Sequence, residues 1–237
     1  LAQAEGYFAK QPGFDPTSEA GRESLVQLRE QVLGWMIDEV LIEQAAEQAG
    51  VSVSEKQIDA QIAQIRGTDQ ARFQEWLTSN GLTEETLREQ VRLELLTAAM
   101  SDQVTSKLSR RTEQAHVRHI LLSTEEAATA AWARLQSGDD FATVARELSE
   151  DETTRDNGGD LGYLPAGVMP PAFDEVAFAL RPGEISGIVH TDYGYHIIQL
   201  VKIDRSRTVS DELWPVVQQN AFEQWLAQQR AAANIQR

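Results

Sequence analysis

The chain of 237 residues contains no cysteine. Disulfides, thiolate zinc sites, iron–sulfur clusters and cysteine nucleophiles are thereby excluded, and the redox compartment is left open. No run of 18 apolar residues occurs, so no segment reads as a membrane-spanning helix. Basic residues are scarce: 21 Lys and Arg stand against 37 Asp and Glu, a net charge of −16. A field of that sign repels phosphate backbones, which argues against nucleic acid as a partner. There is no initiator Met; the chain begins Leu1-Ala2-Gln3. The expectation is that an N-terminal segment, a signal peptide or membrane anchor, has been removed. What is present is ordinary for a globular protein, 41% hydrophobic and 24% charged, and the length allows one or two domains.

From Gly21 to about Arg110 the hydrophobic period is that of helices. Leu25, Leu28, Val32, Trp35 and Met36 recur every three or four residues, and Gly50 follows as a stop. Ser54-Glu55-Lys56-Gln57 has the pattern of a capping box ahead of Ile58, Ile62 and Ile65. Phe73, Trp76 and Leu77 mark a third, short helix. Thr83 caps a fourth carrying Leu87, Val91, Leu95 and Met100. Trp35, Trp76 and Trp225, at helical spacings, read as core residues, with the lining of a client-binding cleft as the alternative.

The period then changes. Ala115–Leu122 reads as a strand; Thr124 and Asp140 cap two helices; Gly158 to Gly162 form a turn into a short strand. Pro170-Pro171 precedes a helix with Phe173, Val176 and Phe178. Ile185–His190 and Tyr195–Ile203 read as strands around the turn Thr191-Asp192-Tyr193-Gly194. This order predicts a compact α+β module. Helical periodicity returns from about Ser210 with Leu213, Val216, Val217, Trp225 and Leu226. One such helix cannot stand alone. The expected organisation is an all-helical domain built from both chain ends, residues 1–112 and 206–237, with a small antiparallel sheet and its helices, residues 113–205, inserted between them.

Of four histidines, His119 falls in the first predicted strand and His196 in the last. Adjacent pairing of those strands would let the two rings meet on one face. His116, three residues before His119, points to the other face. On spacing alone the pair reads as core histidines in a hydrogen-bond network; no His-x-x-x-His or carboxylate–histidine cluster suggests a metal. The glycine pair is not a phosphate loop, since no strand–Gly-x-Gly-x-x-Gly–helix surrounds it.

Five segments in order, His116-Val117-Arg118-His119-Ile120-Leu121-Leu122, Gly159-Asp160-Leu161-Gly162, Phe173 to Leu180, Gly183-Glu184-Ile185-Ser186 and Gly194-Tyr195-His196-Ile197-Ile198, together resemble the parvulin family of peptidyl-prolyl cis/trans isomerases. The flanking halves resemble the helical chaperone domain of PrsA/SurA-type foldases, through Gln44–Val53 and Gly81-Leu82-Thr83-Glu84-Glu85. The resemblance implies catalytic roles for His119, His196 and Asp151, an apolar wall of Leu161, Met169 and Phe173 that receives a proline ring, and Tyr193 at a position where some members have Ser. Without the resemblance, Asp151 reads as a solvated helix end and Met169 and Phe173 as core. The stretch Ser123-Thr124-Glu125-Glu126 is acidic where phosphate-reading members are basic, so phospho-Ser/Thr-Pro is not the expected substrate.

The resulting expectation is an extracytoplasmic isomerase and chaperone, in the periplasm or at the cell surface, for unfolded clients containing Xaa-Pro. Catalysis would be non-covalent, with no cofactor and no metal. The rival reading is a holdase whose parvulin module only binds. Homodimerisation through the helical domain is a third expectation.

Overall fold

The computed structural model describes residues 15–235. The chain divides into two compact units: one runs up to Ser106 and resumes at Phe222, the other is Lys107–Ala221.

The first unit contains α1 (Glu19–Ala49), α2 (Glu55–Arg66), α3 (Gln70–Ser79) and α4 (Glu84–Thr105). Each begins where a short polar side chain can satisfy the free amides of a first turn. Ser18 accepts from Gly21 N, Asp69 from Arg72 N and Thr83 from Thr86 N, while the Ser54 N–H donates to Gln57 Oε1. Two apolar clusters arise from the stripes. Ile58 and Ile62 meet Phe73, Leu77, Leu87 and Val91. Ile42 and Ala46 meet Leu96 and Met100, joined by Phe222, Trp225 and Leu226. These last three belong to α8 (Trp214–Ala232), a single uninterrupted helix whose earlier turns lie in the second unit. Arg230 pairs with Asp38.

Two of the three tryptophans read as core are not. Trp35 is 55% exposed and Trp76 42%, and only Trp225 packs into a cluster. Periodicity specifies a stripe on a helix but not that anything covers it, and Met36 and Val40 on the same helix are also half exposed.

The second unit is a four-stranded antiparallel sheet in the order β2-β1-β4-β3. Its elements are β1 (Arg111–Leu122), α5 (Glu125–Gln136), α6 (Phe141–Leu148), a 3₁₀ turn (Arg155–Asn157), β2 (Asp160–Pro165), α7 (Pro171–Ala179), β3 (Ile185–Thr191) and β4 (Gly194–Thr208). Alternation along β1 and β4 gives both faces a core. Ile120, Leu122 and Ile197 pack against Ala128, Ala131, Phe141 and Val144 of α5 and α6. Ala115, Val117, Ile198 and Leu200 pack against Phe173 and Ala177 of α7. Among the described residues no helix is long and apolar enough to cross a membrane.

Candidate active site

The central pair of strands sets the site. His119 lies opposite Ile198, and Leu121 lies opposite His196, so the two histidines are diagonal neighbours on the face that α7 covers. Their rings stack with centroids 5.5 Å apart and their Nδ1 atoms 3.3 Å apart. His119 and His196 are 4% and 2% exposed. His116 lies on the other face, bonded through Nε2 to Asp160 Oδ1 at 2.8 Å. Asp160 also accepts the Gly162 N–H, so it fixes the turn into β2.

Asp151 is delivered from the loop after α6. Ser149 Oγ accepts the Leu121 N–H of β1 and the Asp151 N–H, fastening the loop to the strand. The carboxylate then turns back on its own chain: Oδ1 accepts the Thr153 amide and hydroxyl, and Oδ2 accepts the Thr154 hydroxyl and the His119 Nε2–H, the last at 2.7 Å. Partial burial opposes its charge, but these donors outweigh burial and hold the carboxyl well below the usual carboxylate range.

One fixed charge therefore orders the whole chain of hydrogen bonds. An ionised Asp151 only accepts, so His119 carries its proton on Nε2 and presents a bare Nδ1. His196 must then donate from Nδ1, which leaves its Nε2 bare. That atom is 2.8 Å from Thr191 Oγ1, whose hydroxyl donates to it and in turn accepts the Tyr193 N–H. The line runs Thr191 to His196 to His119 to Asp151 with every donor facing an acceptor. Phe173, 1% exposed, sets its ring edge-on to both imidazoles, at 5.4 Å from His196 and 6.1 Å from His119. Leu161 and Met169 are half-buried against the same cluster. Tyr193 is 75% exposed, and its backbone rather than its phenol reaches the network.

Composition and spacing give no notice of Thr191, Thr153 and Thr154. Thr191 is visible there only as the first residue of a turn. The usable signal is that it closes the strand paired with the one carrying His196, with Thr191 opposite Gly194. Thr153 stands two residues after an aspartate, the spacing of a side-chain-to-backbone turn.

Burial also keeps both imidazoles neutral. It pulls His119 down against the favourable pull of Asp151, and, with repulsion from His119, it lowers His196 to about 4. In the unfolded chain both would titrate near 6.5. Between these values the unfolded state holds more protons than the folded one, so stability is complete above pH ~6.5 and declines as the pH falls towards 4. Asp151 has linkage of the same sign at lower pH: its contribution is present above its unfolded value near 3.9 and is lost as the pH falls further. The expected result is a second-unit stability that drops by about 3 kcal/mol between pH 6.5 and 4, chiefly through His196. Urea titrations followed by hydrogen exchange of the β4 segment would measure it. A flat profile over that interval in the wild type contradicts a neutral, dry pair.

Among the described residues no group of three or more His, Cys, Asp or Glu side chains is arranged to hold a metal. The site offers a buried, fully partnered polar line beside an apolar wall.

Comparison with known proteins places these features in context. Residues 119–202 match a model of the PPIC-type PPIase domain, and residues 2–101 match a model of the SurA-like N-terminal domain. The chain is similar to Foldase protein PrsA of Caldanaerobacter subterraneus, 35% identical over 179 residues, which are 76% of this chain and 58% of that protein. It is also similar to Foldase protein PrsA of Geobacillus kaustophilus, 34% identical over 72% of this chain and 64% of that one. The chain thus spans about three fifths of the length of these curated relatives. Among solved structures, the peptidylprolyl isomerase PrsA of Bacillus anthracis aligns with a TM-score of 0.61 and 26% identity, covering 87% of this chain and 99% of that one.

Proposed function

Since the chain belongs to the PrsA/SurA-type foldases with a parvulin peptidyl-prolyl isomerase domain, we propose that residues 113–205 catalyse cis/trans isomerisation of Xaa-Pro bonds in unfolded proteins. The helical unit, which runs up to Ser106 and resumes at Phe222, holds those clients. The clients are extracytoplasmic and carry apolar or basic stretches that suit a chain of charge −16.

The reaction needs no covalent catalyst. Rotation about an Xaa-Pro bond crosses a barrier of roughly 18–20 kcal/mol set by amide resonance. At the twisted state that resonance is lost, the carbonyl oxygen sheds negative charge and the imide nitrogen gains basicity. A site lowers the barrier by gripping the ring and matching the field to the twisted form better than to either planar form. Leu161 and Met169, half-buried, meet the ring, and the buried Phe173 backs them. His119 and His196 hold Asp151 in one orientation and one charge state beside it, and Asp151 shapes the field without attacking the substrate.

The observation that supports this reading most is the unidirectional line from Thr191 to Asp151 packed edge-on against Phe173. A polar line that is satisfied throughout and buried in an apolar face costs desolvation that an apolar core of the same shape would avoid. Isomerisation of a short Xaa-Pro peptide tests it. The wild type should accelerate the exchange, and His119→Ala should reduce kcat/KM about tenfold, as expected when one preorganised electrostatic contact is misaligned. No acceleration by the wild type would reduce the second unit to a binding module.

A further inference from the structure

The loop between β2 and α7 carries Met169, and that loop has no regular structure of its own to hold it. Gly167 at its tip has φ +91°, a backbone state that side-chain-bearing residues rarely adopt. Both polar groups of this glycine are taken. Its N–H donates to Asp174 Oδ2 of α7 at 2.6 Å, and its carbonyl accepts from Asn220 Nδ2 of α8. Asp174 also draws in the Met169 N–H. Its carboxyl sits in the first turn of α7, where the helix N-terminus favours an anion, although burial pushes its pKa up. Half-buried groups of this kind are expensive to keep unless they hold something in place.

We propose that Asp174 and Asn220 are positioning residues for the ring-receiving wall. By gripping Gly167 at its N–H and its carbonyl, they set where Met169 stands and so set the affinity for the proline-containing segment without touching it. The inference rests on the isomerase reading above, because it takes Met169 as part of the proline pocket. Asn220 is the less obvious member. It lies 51 residues after Met169, on a helix outside the α+β module that the sequence outlines, yet it closes the loop that α7 begins.

The chain has three methionines, Met36, Met100 and Met169, so carbon-13 methyl labelling gives three resolvable probes, only one of them at the site. In Asn220→Ala and in the isosteric Asn220→Asp, which cannot donate, the Met169 methyl resonance should shift while Met36 and Met100 stay in place. KM for an Xaa-Pro peptide should rise about fivefold with kcat changed less than about twofold, the signature of lost ground-state and transition-state binding alike. Asp174→Asn should move the same methyl. Gln224→Ala, an exposed change on the same helix, should move neither methyl nor KM. An unmoved Met169 resonance in the Asn220 variants, or equal shifts in all three methyls, overturns the proposal. A wild type without isomerase activity would defeat the functional reading and leave the methyl shift to decide the grip by itself.

Discussion

Phe173→Ala is expected to destabilise the second unit by about 3–5 kcal/mol, the range for deleting a large aromatic from a core that cannot collapse onto the gap. The residue is 1% exposed and belongs to the cluster of Val117, Ala177, Ile198 and Leu200. These side chains come from two central strands and one helix, so the framework around the ring is held by β1–β4 pairing and has little freedom to close in. The same change should also remove the proposed isomerase activity, for a second reason. The ring edges shield both imidazoles, and their depressed pKa values come first from burial. With water admitted, His196 should titrate closer to 6.5, which a histidine NMR titration would register separately from stability. Phe173→Leu keeps most of the volume and should cost less than about 1.5 kcal/mol. Hydrogen exchange of the β4 segment is the appropriate measure, since two units need not unfold together. A Phe173→Ala protein within 1 kcal/mol of the wild type would mean that the cluster does not depend on this ring.

The parts of this fold that are legible in the sequence are those fixed by local chemistry. Ser54, Asp69, Thr83, Thr124 and Asp140 stand at helix starts because their oxygens satisfy first-turn amides. Of these, Asp69 carries no such signal in a reading by apolar period, since the helix it opens is short and exposes Trp76. Strand β1 is longer than its apolar part announces. Arg111 to Gln114 are polar, and they pair with the equally polar Asp204 to Thr208, so no hydrophobic alternation marks either stretch. The histidine pair is approachable from topology, given two strands with one histidine each. The convergence of Asp151 is not, because its position depends on a loop fastened by Ser149 and bent by Thr153 and Thr154. Asn220 is invisible for the same reason: a side chain that bonds one backbone carbonyl in a distant loop leaves no period and no motif. The failure at Trp35 is of another sort. Its spacing is correct for a helix face, and burial of that face depends on a partner that spacing does not describe.

Gly159→Ala should be more damaging still, for a reason that glycine content alone does not convey. Two glycines of the turn into β2 have similar backbone angles, φ +78° at Gly159 and +71° at Gly162. For both, a side chain brings left-handed strain of about 1–2 kcal/mol. Their surroundings differ. A Cβ at Gly162 meets nothing within 4 Å, whereas one at Gly159 lies 2.1 Å from the carbonyl oxygen of His119, with Ala145 Cβ at 3.3 Å behind it. The obstacle is strand backbone, which cannot rotate aside as a side chain would. Gly159 is also the acceptor for the His119 N–H at 2.8 Å, so the added methyl would push the two chains apart across that hydrogen bond. Gly162→Ala should therefore cost about 1–2 kcal/mol and leave the imidazole line in place. Gly159→Ala should exceed about 4 kcal/mol, the range reserved for steric failures inside a packed structure, and should displace His119 from Asp151 in whatever fraction remains folded. Hydrogen exchange along β1 and the His119 ring resonances read the two effects in parallel. Equal stability of the two variants would show that β1 does not press on this glycine, and the register that carries His119 to Asp151 would then need another support.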